Sequence, residues 1–332
     1  HLTGKEEYLL DIGLMLRRIE KALGLAAGFR VTVDANRSEG VAGNSFEVTE
    51  MARCRTGVTC VFGDLKLLMP KNMSETKRVG NAAQGYQITV YINPAGVGVP
   101  PVEPQELLLG TWNEAKKAWS ALQPEPPPAL VAEQPVTIAG YTFSLREPVT
   151  HVQATSLRVD KVPLRIVPAL TLAVEPRQAV QVVGKPQKPL DVFVRVHSYA
   201  TNASRASVGM DVPAGWARNV EQEIEISGQG DQYLRFRVTP PQNLAAGSYT
   251  VSAYAKRGEE RFATSLEPLP SLPTQLWSEP AECGVKAFGI NLPENLRVGY
   301  VTAEGEPIPE ALGRLGIHVE MLDAAALAFG DL

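Results

Sequence analysis

At 332 residues, with 44% hydrophobic and 20% charged side chains, the sequence has the balance of a soluble globular chain of roughly two or three domains. A formal net charge of -4, with no Lys/Arg cluster, gives no electrostatic reason to bind nucleic acid or an anionic membrane, and no apolar run approaches the roughly 20 residues of a membrane helix. Gly (28) and Pro (26) are plentiful, as many short strands joined by turns require.

Residues 5–25 carry a helical pattern. Leu9, Ile12, Leu16, Ile19 and Leu23 recur at alternating spacings of three and four, with Tyr8, Met15 and Ala22 widening the stripe. Arg17, Arg18, Glu20 and Lys21 take the other side. An isolated helix of this length is marginal in water, so the stripe is expected to pack on the first module that follows. The chain opens at His1-Leu2-Thr3, with neither an initiator Met nor a signal peptide, and residues 1–27 read as the helical tail of an upstream domain.

From Phe29 the period becomes two. Phe29–Val33, Phe46–Thr49, Val58–Met69 and Gln87–Ile92 are strand-like; residues 94–107 are Pro- and Gly-rich; Glu106–Ala121 suggests a short helix carrying Trp112 and Trp119. Pro124–Pro128 is a stiff break. Strands resume at Pro135–Ile138, Tyr141–Leu145 and Val149–Thr155, and residues 28–163 make one β-sandwich module. Cys54 and Cys60 flank a five-residue turn, either as a local disulfide in an oxidising compartment or as two thiols on adjacent strands. Three cysteines are too few for a disulfide framework, and an odd count puts at least one outside intrachain pairing.

A second module spans residues 164–265. Its short strands at Leu170–Val174, Leu190–Val196, Ala206–Val212, Glu223–Ile226, Tyr233–Val238 and Tyr249–Ala255 are separated by Gly/Pro turns, the rhythm of an immunoglobulin-like sandwich. A weak repeat links the modules: Leu67-Leu68-Met69-Pro70 and Met210-Asp211-Val212-Pro213 are each followed by an alternating strand and a second Pro. Residues 266–283 read as a Pro-rich linker. Residues 284–332 read as the opening of a parallel α/β unit: strand Leu296–Val301, helix Pro307–Leu315, strand Ile317–Leu322, and Asp323 as a cap. Two strands cannot bury a self-sufficient core, so the unit is expected to be truncated and to continue beyond Leu332. The fold class expected is therefore mainly β: two immunoglobulin-like β-sandwiches, an N-terminal helix and a truncated C-terminal βαβ unit.

No catalytic motif stands out: there is no His-Glu-x-x-His, Gly-x-Ser-x-Gly, P-loop or Gly-x-Gly-x-x-Gly. His1, His151, His197 and His318 lie in four different segments, and neighbours do not complete the three or four ligands of a zinc site. His197 and His318 read as strand-face residues. Glu304-Gly305-Glu306 sits where an α/β ligand loop would be, but two carboxylates repel a phosphate, which argues against a nucleotide. No catalytic, cofactor or metal residue is assigned. The candidate glycan contacts are Trp112, Trp119 and Trp216, weighed against burial at a sandwich end or between domains.

Val212-Pro213-Ala214-Gly215-Trp216, Tyr233–Pro241 and Ala246–Val251 resemble the alpha-galactosidase-associated β-sandwich module, an accessory unit of bacterial secreted proteins. The order of parts, from a helix through two sandwiches to Leu296–Val301 and Ile308–Gly316, is similar to the region downstream of the catalytic domain in large bacterial PIG-L (LmbE-like) deacetylases. That resemblance implies a parent zinc hydrolase acting on N-acetylglucosamine-type sugars, outside the cytoplasm. It also implies an accessory region that positions the catalytic domain and a downstream amidotransferase-like domain, with polysaccharide as a further partner. The family's His-Pro-Asp-Asp metal motif does not occur here, so no catalytic residue carries over, and the zinc is expected in the missing catalytic domain.

Overall fold

The computed structural model describes residues 4–94, 112–113, 118–119, 128–154, 158–269, 272–293, 296–301, 308–323 and 327. The chain divides into two compact units, His1–Ala169 with Pro268–Leu276, and Leu170–Glu267 with Trp277–Leu332. The described structure is mainly β, with a sandwich in each unit.

Helix α1 (Gly4–Ala26) opens the first unit. Its strands are β1 (Arg30–Ala35), β2 (Glu39–Val41), β3 (Ser45–Arg53), β4 (Cys60–Phe62), β5 (Lys66–Leu68), β6 (Met73–Asn81) and β7 (Gly85–Ile92). They continue as β8 (Trp112–Asn113), β9 (Ala118–Trp119), β10 (Val131–Ile138), β11 (Tyr141–Pro148), β12 (Thr150–Ala154), β13 (Val159–Pro163) and β14 (Arg165–Val167). One sheet runs β13-β12-β1-β3-β7-β6; the other is β11-β10-β4, with β5 also pairing β10. Strand β6 is a nine-residue edge strand that alternation does not reveal. Its Glu75, Lys77 and Arg78 are the charges with which edge strands discourage further pairing.

The helix corrects one expectation. Ile12, Met15, Leu16 and Ile19 are 38–64% exposed, so the expected stripe does not dock. Among the described side chains the apolar packing is at the last turn: Leu23 and buried Ala27 join Phe29, Val136, Ile138 and Phe143. The Gly28 turn then leads into β1. The Leu9 side chain lies outside the described residues.

The core of the first sandwich is two clusters rather than one. Val48, Ile88, Val90, Ile92 and Leu130 centre the larger; Phe29, Val136, Ile138 and Phe143 form the smaller. Between them, on facing sheets, lie two buried polar side chains, Glu50 at 2% exposure and Gln134 at 1%. Glu50 follows Val48 of the larger cluster and precedes Ala52 of the smaller; Gln134 stands likewise between Ala132 and Val136. Gln134 Nε2 donates to the carbonyls of Gly63 (2.8 Å) and Pro135 (3.0 Å). Tyr86, opposite Glu50 in the β3–β7 ladder, donates its hydroxyl to Asp64 Oδ1 at 2.7 Å. Burial pushes the Glu50 carboxyl pKa up, against a weaker opposing pull from the Tyr86 backbone. Cys54 and Cys60 are joined as a disulfide closing the turn into β4, which settles the two alternatives the spacing leaves open.

Two further expectations are corrected here. Trp112 and Trp119 face each other in the β8–β9 antiparallel ladder instead of riding a helix over 106–121, in keeping with the strand preference of aromatic residues. Strand β14 pairs in parallel with β2, so the first unit extends through Ala169 rather than ending at 163. Between the repeated Pro turns, β6 pairs with β7 in the first unit; in the second, β19 pairs with β21 and β20 with β18.

The second unit holds β15 (Leu170–Glu175), β16 (Gln178–Val182), β17 (Leu190–Ser198), β18 (Ser204–Asp211), β19 (Ala217–Arg218), β20 (Gln222–Ile226), β21 (Gly230–Thr239), β22 (Gly247–Arg257) and β23 (Glu260–Phe262). After β24 (Thr264–Leu269) and β25 (Leu272–Pro280), β26 (Glu282–Phe288) returns to it. Sheet β15-β17-β21-β19 faces sheet β16-β26-β22-β18-β20, and one continuous core lies between them, with Phe236, Val192, Val194, Val208 and Val251 fully buried. Residues 266–283 carry strands where a Pro-rich linker was expected: β24 pairs with β25, and β26 begins at Glu282. Prolines hide the strands, but Ala281, Cys283, Val285 and Ala287 alternate into the core. The C-terminal segment follows expectation. Strand β27 (Val298–Val301) pairs in parallel with β28 (Val319–Leu322), with helix α2 (Ile308–Arg314) between them in sequence. Glu304-Gly305-Glu306 lies outside the described residues.

Candidate functional site

Strands β17 and β21 form the longest ladder of the second sandwich, nine register pairs from Leu190↔Val238 to Ser198↔Gly230. Alternation divides them cleanly. Leu190, Val192, Val194, Val196, Phe236 and Val238 point inward and are wholly buried. The opposite face carries Asp191 against Arg237, Phe193 against Arg235, Arg195 against Tyr233, and His197 against Asp231. Strong inward alternation fixes the register, and the register obliges these polar and aromatic groups to share one surface.

Two aromatic rings on that face are open to solvent: Phe193 is 51% and Tyr233 70% exposed. They are diagonal neighbours on adjacent strands. Arg235 lies over the Phe193 ring at 6.0 Å from its centroid. Asp191 accepts from Arg235 Nη2 at 2.7 Å and from Arg237 Nε at 3.3 Å. The Arg235 hydrogen bond is the main reason the Asp191 carboxyl is held below its ordinary pKa, and Asp191 in turn raises that of Arg235. Arg195 pairs with Glu267, and His197 Nδ1 meets Asp231 Oδ1 at 2.9 Å. Beyond its short pairing with β19, the free edge of β21 is capped by Asn219 and Gln222, which bond the Arg237 N–H and the Arg235 carbonyl.

Clefts flank the rings. One of about 410 Å³ is lined by Phe193, Tyr233, Arg195, Glu267, Glu175 and Arg177. One of about 440 Å³ is lined by Arg218, Asn219, Arg235, Arg237 and Thr239. Phe193 also borders an apolar cleft of about 540 Å³ toward Ala179, Leu190 and Tyr249. Flat rings beside forked hydrogen-bond donors and carboxylate acceptors suit a ligand with an apolar face and a polar rim.

The other sheet carries a second polar cluster. Tyr254 and Ser207 both donate to Glu221, Lys256 Nζ approaches it at 3.3 Å, and Arg261 covers the Tyr254 ring at 4.0 Å. The Ser207, Tyr254 and Lys256 bonds lower the Glu221 pKa to about 2. Gly209 leaves room for this cluster: a Cβ there would come within 2.6 Å of the Tyr254 Cζ and hydroxyl and force the side chain to shift. These groups satisfy one another, and Arg218 also donates to the Tyr254 hydroxyl at 3.4 Å. Among the described residues, no group of three or more His, Cys, Asp or Glu side chains could hold a metal ion.

Of the three tryptophans read as glycan contacts, Trp216 is corrected: it is 7% exposed, part of the second core, with its ring 5.5 Å from that of Tyr249. The Pro213-Ala214-Gly215 turn folds the indole over the sandwich end. Trp112 and Trp119 pair by their backbones, and their side chains lie outside the described residues. Sequence reading missed Phe193 and Tyr233. The signal was present: each is an aromatic at the polar phase of a strand whose other phase is mostly Val, Leu or Phe.

No family model matches the chain, and no curated protein sequence matches it. Among solved structures, a Salmonella alpha-2-macroglobulin variant aligns with 79% of this chain at 8% identity and a TM-score of 0.28. The native conformation of Escherichia coli alpha-2-macroglobulin aligns with 78% at 11% identity and a TM-score of 0.27. This chain spans only 16% and 17% of those two chains. A PapD-like domain of human CEP192 aligns with 36% of this chain, over 87% of its own length, at 6% identity and a TM-score of 0.23. Among the described residues no helix is long and apolar enough to cross a membrane.

Proposed function

We propose that this chain is a non-catalytic interaction region whose second sandwich binds polysaccharide on its outer face. The observation that carries the reading is the pair of exposed rings, Phe193 and Tyr233, set among arginines and carboxylates on a rigid, fully packed ladder. A ring held by a strand pays little entropy on binding, which is why aromatic and arginine side chains dominate binding hot spots. The resemblance of the chain to the region downstream of PIG-L-type deacetylase domains supports the same reading. In that arrangement the sandwiches hold a zinc hydrolase domain and a downstream α/β domain near a shared glycan. The Cys54–Cys60 disulfide supports a place outside the cytoplasm, where such bonds persist.

The test is equilibrium binding of oligosaccharides to the chain and to Tyr233→Ala and Phe193→Ala. Each variant is expected to weaken binding about tenfold, the effect of losing about 1.4 kcal/mol at a hot spot. Unchanged affinity in both variants would remove the face from consideration. Zinc content and deacetylation of an N-acetylglucosamine oligomer, compared between this chain and the complete gene product, test the parent. Activity confined to the complete product is the expected result.

A further inference from the structure

The charge on this face is not evenly spread. In the cleft beside Phe193 and Tyr233, each guanidinium has its own carboxylate: Arg195 pairs with Glu267 and Arg177 with Glu279. At the other end, Arg235 and Arg237 share the single carboxylate of Asp191, and their side chains are 56% and 58% exposed. Arg218 lines the same cleft, and no Asp or Glu is among its described lining residues. Two guanidiniums offer about ten N–H donors, and one carboxylate has lone pairs for about four. The donors left over face solvent at the Arg237 end of the face.

We infer that the ligand of this face is an acidic polysaccharide, whose anionic group is received by Arg235 and Arg237 while a neighbouring sugar ring stacks on Tyr233. This rests on the glycan reading above and narrows it. A neutral sugar hydroxyl takes a single hydrogen bond from a guanidinium and leaves its charge unmet. A carboxylate or sulfate gains a charge-assisted, bidentate contact, roughly twice as strong as a neutral one. The other end, where Glu175 lines the cleft in addition to the paired carboxylates, repels an anion, so the face is directional, with stacking in the middle and anion capture at one side.

The experiment uses the whole chain and three probes: oligogalacturonate, the same oligomer with its carboxyls reduced to alcohols, and a sulfated glycosaminoglycan. They are titrated against the parent chain, Tyr233→Ala and Arg237→Met, with circular dichroism confirming that each variant is folded. The acidic oligomer is expected to bind at least about tenfold tighter than its reduced form. Arg237→Met should shrink that advantage by weakening the acidic oligomer several-fold more than the reduced one, and added salt should weaken the acidic probes more than the reduced one. Tighter binding of the carboxylate or of the sulfate probe identifies which anion is read. Equal binding of acidic and reduced oligomers, with Tyr233→Ala still weakening both, overturns this inference and leaves the glycan face standing. Indifference of every probe to Tyr233→Ala overturns both.

Discussion

The two sandwiches are written in the same alternating rhythm but packed on different principles. The second has one core, in which every inward position of β17 from Leu190 to Val196 is aliphatic and wholly buried. The first is divided by a layer in which Glu50 and Gln134 occupy inward positions and are as buried as the valines beside them. Among the described residues, neither Glu50 carboxyl oxygen nor Gln134 Oε1 meets hydrogen-bond geometry with a partner. A polar group carried this deep costs free energy unless it is satisfied or neutral. The first sandwich has a disulfide at the edge of its smaller cluster, and the second, which needs no covalent help, presents the candidate binding face. A rigid, uninterrupted core is what a preformed face requires.

The largest effect that would sharpen this contrast is truncation at the centre of the continuous core. Phe236→Ala is expected to cost about 3–5 kcal/mol, since a fully buried ring leaves a cavity that strands on both sheets cannot collapse to fill. Amide exchange followed by mass spectrometry should show deprotection across β17, β21 and β22 together, with residues 30–92 unaffected. Loss confined to β21 would mean that the second core is not one cooperative unit.

A smaller effect is expected from removing the covalent tie. Replacing Cys54 and Cys60 together by serine opens a short loop, worth about 2–3 kcal/mol by the chain-entropy estimate. Exchange should rise in the first unit around β4, Phe29 and Phe143, and not in the second. Equal loosening of both units would break the claim that their stabilities are separate.

The period-two runs in the sequence announced the sandwich class and most inward-facing strands, because a strand with one face buried must write that face at every second residue. What stayed hidden has a physical reason in each case. Strand β6 is exposed on most of its length, so no alternation marks it; β26 uses Ala, Cys and Val where large residues would have signalled a core strand, and it follows a Pro-rich stretch. The α1 stripe is a true amphipathic pattern, but amphipathicity says only that a face is apolar, not what covers it. At the candidate site, tryptophan was the wrong residue type to follow: Trp216 is buried because it is large and apolar. Phe193 and Tyr233 are exposed because the phase of the ladder places them outward.

The smallest predicted effect tests the polar layer directly. Burial raises the Glu50 pKa above that of an unfolded glutamate, so the folded state binds a proton that the unfolded state releases first. The stability Glu50 contributes is therefore fully present below the unfolded value, near pH 4.5, and is lost as pH rises through the folded value. Asp64 and Arg78 act on the Tyr86 side chain opposite Glu50, the one accepting the Tyr86 hydroxyl and the other lying 5.0 Å over the ring. Denaturation of the first unit, followed by exchange at about pH 5 and about pH 8, should show it weaker at the higher pH by on the order of 1 kcal/mol. Glu50→Gln keeps the shape and removes the proton equilibrium, so its first unit should lose that slope while the second unit keeps whatever slope it has. A slope that survives in Glu50→Gln would assign the pH dependence to another group and leave the layer a matter of packing alone.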